Sequence, residues 1–411
     1  MHASFFMKTI LFFTSFLIII TGCADRTKDS SSSSKSTEDT TEDPVVITPT
    51  TSSDCAGSAR TFYKDSVDHV VAARANSKLS VSKLSLPAFK EFQGGNGLYY
   101  SQQSFAVPND AISFHVSAFE SSPTTSPPSL GICYLFDPNS KDYVSECVLG
   151  DFGITWEPSL PTTTLIPGTW TAVVLSSVQS ASAYVAIRSG TYTESPILVV
   201  KPYLTGTRYT SSNLTASLEH MVEIYKLAGI TLELKDITTV TGDEYATISG
   251  DFTATNTAKV VCSGGTTQVN LILAEDLTIP GTLGGTLLGI SSGIPGPHGI
   301  EDRHNGVLIG LAAHDQASSG QAPDLHARIL GETMAHEMGH WLGLYHTTES
   351  TGSDFDPLAD TPECPLSSPT ASTCQDKDGT NLMFWTADVN IEQKTLTSDQ
   401  QAVLKRAPIM Q

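Results

Sequence analysis

The chain has 411 residues, of which 39% are apolar and only 16% charged, so it can bury two or three domain cores and is not a wholly disordered polymer. Its 23 lysines and arginines face 43 aspartates and glutamates, a formal charge of −20 that repels a phosphate backbone and argues against nucleic acid as a partner. Only one apolar run approaches membrane-spanning length, which excludes a polytopic membrane protein.

That run comes first. Met7-Lys8-Thr9 leads into apolar residues 10–20 and then Thr21-Gly22-Cys23, the basic start, short apolar core and small residues of a secretory signal. The stretch Ile20-Thr21-Gly22-Cys23 resembles the lipobox of bacterial lipoproteins, in which the cysteine is lipidated and becomes the new N-terminus. The resemblance implies a signal over 1–23, a lipid anchor on Cys23 and an exported protein of the cell envelope, at the outer membrane or the cell surface. The other reading is an ordinary signal peptide with an incidental cysteine. Residues 24–54 are rich in serine and threonine and contain no aromatic side chain, so they predict a disordered tether.

Export favours disulfides. With Cys23 assigned to lipid, Cys55, Cys133, Cys147, Cys262, Cys364 and Cys374 remain, an even set. Short separations favour Cys133–Cys147 and Cys364–Cys374, which leaves Cys55–Cys262. Each bridge is expected to contribute roughly 3 kcal/mol by constraining the unfolded chain.

Residues 55–195 predict a β-rich, sandwich-like domain. Alternating runs recur at 111–119, 131–136, 170–175 and 183–187 between proline and glycine turns, with one short helix at 65–75. His69 and His115 stand alone and read as structural. The sequence leaves open whether this region binds a ligand, a substrate or the catalytic domain.

The character changes over 196–411. A strand at 197–204 precedes an amphipathic helix at 211–228, with Leu214, Leu218, Met221, Ile224 and Leu227 expected inward. Strands follow at 230–240 and 268–274, then a glycine-rich stretch at 281–299, a strand at 307–311 and a helix over 324–342. This order predicts an α+β domain.

The chemistry lies in that last helix. His336 and His340 are four residues apart, so their imidazoles share one helix face and can meet one zinc ion at about 2 Å. Glu337 is rotated by about 100°, within reach of the metal's water without ligating. Gly343 can end the helix in a left-handed conformation, and the returning chain brings His346 as a third ligand. Three neutral donors with an open fourth position describe catalytic rather than structural zinc. Glu337 then acts as general base. The bland reading is a helix whose histidines only pack or cap.

The run from His336 through Gly343 to His346 resembles the metzincin signature HExxHxxGxxH. Thr347, Asp360-Thr361-Pro362, Cys364, Cys374, Asn381-Leu382-Met383 and residues 396–401 narrow the resemblance to the pappalysin/ulilysin group, over roughly 195–411. The resemblance implies a zinc metalloendopeptidase that cleaves protein or peptide substrates, with Met383 as the hydrophobic floor beneath the metal. It also implies that an extended peptide pairs with an edge strand at 287–292. Where the group commonly has tyrosine this chain has Trp385, which can donate one hydrogen bond to an oxyanion or a neighbour but cannot ionise or ligate. Calcium is implied near Asp354, Asp356 and Asp360, where Glu363, Asp376 and Asp378 add further acidity. A solvated acidic loop is the alternative. Cys55 could hold the zinc in a latent form or form a disulfide. Two other functions stay open: a surface binding protein or adhesin with a decayed protease domain, and a zinc hydrolase acting on something other than protein.

Overall fold

The computed structural model describes residues 78–92, 97–120, 129–144, 147–240, 242–252, 254–279, 286–317 and 323–411, together with short extended pieces at Ile10–Phe12, Ile19–Ile20 and Val46–Ile47. Cys23, most of the expected tether, Cys55, His69 and the expected helix at 65–75 lie outside the described residues. Among the described residues no helix is long and apolar enough to cross a membrane.

Strands are numbered here from Leu79. The first region is a sandwich of two four-stranded antiparallel sheets. One sheet has the order β7 (Phe152–Glu157), β4 (Ala111–Glu120), β9 (Ala181–Ser189), β1 (Leu79–Leu84). The other has β2 (Lys90–Glu91), β3 (Tyr99–Val107), β8 (Gly168–Ser176), β5 (Leu130–Phe136). Phe105, Phe114, Trp170 and Val185 fill the space between the sheets, with Phe114 edge-on to both Phe105 and Trp170. β6 (Cys147–Leu149) carries one half of the Cys133–Cys147 disulfide.

Alternation along β4 sends Phe114, Val116 and Ala118 into this core, so Ser113, His115 and Ser117 should face water. They are buried as well. The second region covers that face: Ile300 packs with Phe119 and Tyr184, and the Ser113 hydroxyl donates to the Arg406 carbonyl. The fully buried Arg188 on β9 donates from Nη1 to the Lys405 carbonyl at 2.6 Å, and Arg406 returns a bond from Nη1 to the Pro161 carbonyl at 3.0 Å. Of the partners the sequence left open for the sandwich, the structure pairs it with the rest of its own chain.

His115 sits at the centre of this contact, its ring 5.3 Å from that of His298, with neither ring nitrogen hydrogen-bonded among the described residues. Burial, and then the neighbouring His298, holds the His115 imidazole well below its ordinary range. Burial likewise pushes His298 down to about 3, against the opposing pull of the Trp341 carbonyl. Unfolding lets both rings take protons that the native state refuses. Their contribution to stability is therefore full above pH ~6.5 and is lost as the pH falls below it. The variant His115→Leu, closer in volume and unable to titrate, is expected to change the melting temperature more favourably at about pH 5 than at about pH 7.5. An equal change at both pH values would show that His115 is not an acid-sensitive element.

The second region is built on a largely parallel sheet in the order β17 (Gly289–Ser291), β18 (Val307–Gly310), β14 (Val269–Ala274), β10 (Ile197–Thr205), β12 (Thr238–Val240), with β11 (Thr231–Leu234) also on β10. Only β17 is antiparallel, pairing Gly289 with Ile309 and Ser291 with Val307. β14 is buried at every position, as a central parallel strand covered on both faces must be. Small paired strands β13 (Thr247–Ser249) and β15 (Asp276–Thr278), the two-residue β16 (Thr286–Leu287) and α2 (Thr255–Cys262) complete this part of the chain.

Helix α1 (Ser211–Leu227) begins where the Asn213 side chain accepts the Thr210 backbone N–H at 2.9 Å. Leu214, Leu218, Met221 and Ile224 are buried as expected, but Leu227 is 59% exposed. Tyr225 takes the inward place, its hydroxyl donating to the Ala335 carbonyl at 3.1 Å, and Leu227 lies about 200° further round the helix. The sequence also missed α3 (Leu311–Ala317), which follows β18 directly. Helix α4 (Pro323–Trp341) packs on α1, and α5 (Ser398–Arg406) starts with a reciprocal cap between Thr397 and Gln400. Trp156 of the sandwich belongs to this second region's core, alongside Met338, Leu342 and Leu344.

Candidate active site

Helix α4 turns Ala335 and Met338 into the core and carries His336 and His340 on another face. It ends at Gly343, whose φ of +114° reverses the chain, a conformation that side-chain-bearing residues rarely adopt. His346 then returns toward the helix. Its Nε2 lies 3.2 Å from Nε2 of His336 and 3.0 Å from Nε2 of His340.

The outer nitrogens fix what these inner ones are. His336 Nδ1 donates to the Leu382 carbonyl at 2.6 Å, and His340 Nδ1 donates to the Leu344 carbonyl at 2.7 Å. The Glu349 carboxylate stands 3.0 Å from His346 Nδ1. At His336 and His340 the Nδ1 carries a proton toward a carbonyl, so each Nε2 presents a lone pair, and the carboxylate beside His346 Nδ1 favours the same tautomer there. Three lone pairs this close repel one another unless a cation lies between them. Zinc bonds of ~2.05 Å at tetrahedral angles would hold such nitrogens ~3.3 Å apart, so the spacing fits. Burial and the neighbouring His346 push His336 down to about 3, and the same causes, with His336 added, hold His340 well below its usual range. Neutral imidazoles are what the metal requires.

Glu337 is buried beside this cluster, and its Oε1 has no hydrogen-bond partner among the described residues. Burial pushes its carboxyl up to about 8, against a backbone N–H donated by Ser291. That bond places β17 directly above the helix. Gly289 makes the approach possible, since a Cβ there would lie 2.7 Å from Glu337 Cγ. Among the described residues β17 is the last strand of its sheet, at the expected edge of 287–292, although Leu287 just before it pairs with Ile19.

Met383 is fully buried against α4, its sulfur lying where a Cβ on Gly339 would come within 2.6 Å. The Met383 carbonyl accepts from Thr347 N–H at 3.0 Å, and its own N–H donates to Asn381 Oδ1 at 2.8 Å. Gln400 clasps the Asn381 amide with bonds of 2.8 and 3.2 Å. The stretch Asn381-Leu382-Met383 thus orients one histidine, tethers the segment after another and connects both to α5.

Other expected residues are placed differently. The Trp385 indole donates to the Pro369 carbonyl at 3.0 Å and packs with the Cys364–Cys374 disulfide, so its single donor is spent away from the histidines. Asp354, Asp356 and Asp360 do not converge as a ligand set among the described residues. Asp354 accepts from Thr351 and Ser353, Asp356 from Leu358 N–H and the Thr361 hydroxyl, and Asp360 from Asp399 N–H. The three carboxylates thus take separate hydrogen-bond donors. Cys262 is disulfide-bonded, and its expected partner Cys55 lies outside the described residues.

Sequence reasoning missed Glu349, although a carboxylate three residues after a ligand was a usable signal. It also missed Arg328, which holds Glu332 one turn along α4 and donates to the carbonyls of Asp388, Val389 and Ile391. The i,i+4 charge pair was legible; its grip on the loop after Met383 was not.

No protein-family model matches the chain, and no curated protein does. Solved structures similar to it include archaemetzincin from Methanopyrus kandleri, at 16% identity and a TM-score of 0.27, over 51% of this chain and 87% of that one. Metalloproteinase-II from Bacteroides fragilis is similar at 12% identity and a TM-score of 0.31, over 55% of this chain and 62% of that one, less than two thirds of its length.

Proposed function

We propose that the protein is a zinc-dependent endopeptidase in which His336, His340 and His346 hold the ion and Glu337 is the general base. The observation that carries this reading is the convergence of three imidazole Nε2 atoms beside a buried carboxylate whose Oε1 has no hydrogen-bond partner among the described residues, directly under a sheet edge. Zinc held there supplies Lewis-acid polarisation of a carbonyl and acidification of water. Glu337 accepts the proton of the attacking water and delivers it to the leaving amine. The Ser291 N–H keeps the carboxylate in place during that exchange. An extended substrate adds to β17 through main-chain hydrogen bonds, a mode that tolerates many side chains and suits an endopeptidase. Residues 10–23 support export with lipid attachment at Cys23, which would place this activity in the bacterial cell envelope.

Chelation is expected to abolish cleavage of an unfolded protein substrate, and one equivalent of zinc per chain to restore it. Cleavage that persists after the metal has been removed would refute the proposal.

A further inference from the structure

Strand β7 of the sandwich meets the second region at both of its ends. At its start the Asp151 carboxylate lies 2.8 Å from His304 Nε2, and Phe152 stacks on the same imidazole with centroids 4.4 Å apart. The Phe152 ring also abuts Gly293, in the segment that follows β17. At its other end Trp156, nearly fully buried, meets the turn that closes α4.

That contact is specific. Gly343 has no side chain, and the place a Cβ would occupy lies 2.8 Å from Cζ2 of the Trp156 indole. The same turn does three things for the metal centre. Gly343 reverses the chain, the Leu344 carbonyl fixes the His340 tautomer, and two residues later the chain delivers His346. The turn is anchored below by the Leu344 N–H bond to the Gly339 carbonyl at 3.0 Å. On its outer side the indole supplies the wall.

We infer that Trp156 is a positioning residue for the metal centre: by bracing the Gly343 turn it sets the orientation of His340 and the placement of His346. The sandwich is then a working part of the enzyme. This inference rests on the zinc reading above. Residues that orient metal ligands typically change affinity by about 10–100-fold when they are removed.

The test is a competitive zinc titration of the full mature chain, together with the visible absorption of its Co²⁺-substituted form, which reports coordination geometry. Trp156→Ala is expected to bind zinc about 10-fold or more weakly and to show an altered cobalt spectrum. Trp156→Phe, which restores a flat ring, is expected to stay close to the wild type in both. Wild-type affinity and an unchanged spectrum in Trp156→Ala would overturn the inference while leaving the zinc site intact. If Trp156→Ala fails to fold, Trp156→Leu is read in the same way: weakened binding supports the inference and wild-type binding overturns it. Failure of the wild type to bind either ion would overturn the zinc reading itself, a separate result.

Discussion

Replacing Glu337 by glutamine is expected to abolish peptide-bond cleavage while zinc stays bound. The substitution preserves shape, and the amide oxygen can still accept the Ser291 N–H. What disappears is the carboxylate proposed to take a proton from water and return it. General-base catalysis contributes about 10²–10⁴-fold, so a loss in that range in kcat is expected, with metal content near one zinc per chain. Stability should move the other way. Burial already disfavours the ionised carboxyl, holding it up at about 8, so a neutral amide relieves that cost and the melting temperature should hold or rise. Turnover within tenfold of the wild type on a peptide substrate would remove Glu337 from the mechanism.

The second large effect concerns the ligands. His346→Ala leaves two imidazoles, and the affinity for zinc is expected to fall by more than ~10²-fold, beyond the range that orienting residues produce. Glu349→Gln keeps all three ligands but weakens the acceptor beside His346 Nδ1, so a loss of about 10-fold is expected. Titration against a chromophoric chelator measures both. If His346→Ala matches the wild type, the three nitrogens do not share an ion.

Local features were legible because helix periodicity acts over a few residues. Four-residue spacing placed His336 and His340 together, and Gly343 announced the reversal that brings His346 back. The even alternation at 111–119 and 183–187 gave the sandwich strands. The failures share one cause, which is that sequence proximity does not determine what a side chain meets. Ser113, His115 and Ser117 alternate as a solvent face should, yet another part of the chain covers them. Asp354, Asp356 and Asp360 cluster in sequence, but each takes a different donor, that of Asp360 coming from Asp399 in a distant helix. Trp385 has the right offset from Met383, and its indole turns to the Pro369 carbonyl instead. Leu227 fits an apolar count but not the inward stripe, which Tyr225 completes. Trp156 carries no motif at all, because its meaning depends on a glycine far along the chain.

The clasp between the sandwich and α5 has a consequence for biosynthesis. Arg188 and Ser113 hold the carbonyls at residues 405 and 406, while Gln400 in the same helix grips Asn381, in the stretch that orients His336. A nascent chain that has not yet released residue 400 lacks that grip, however well its earlier parts have folded. The histidine cluster should therefore gain its full support late, only once α5 has left the ribosome, and a partly synthesised chain would lack it.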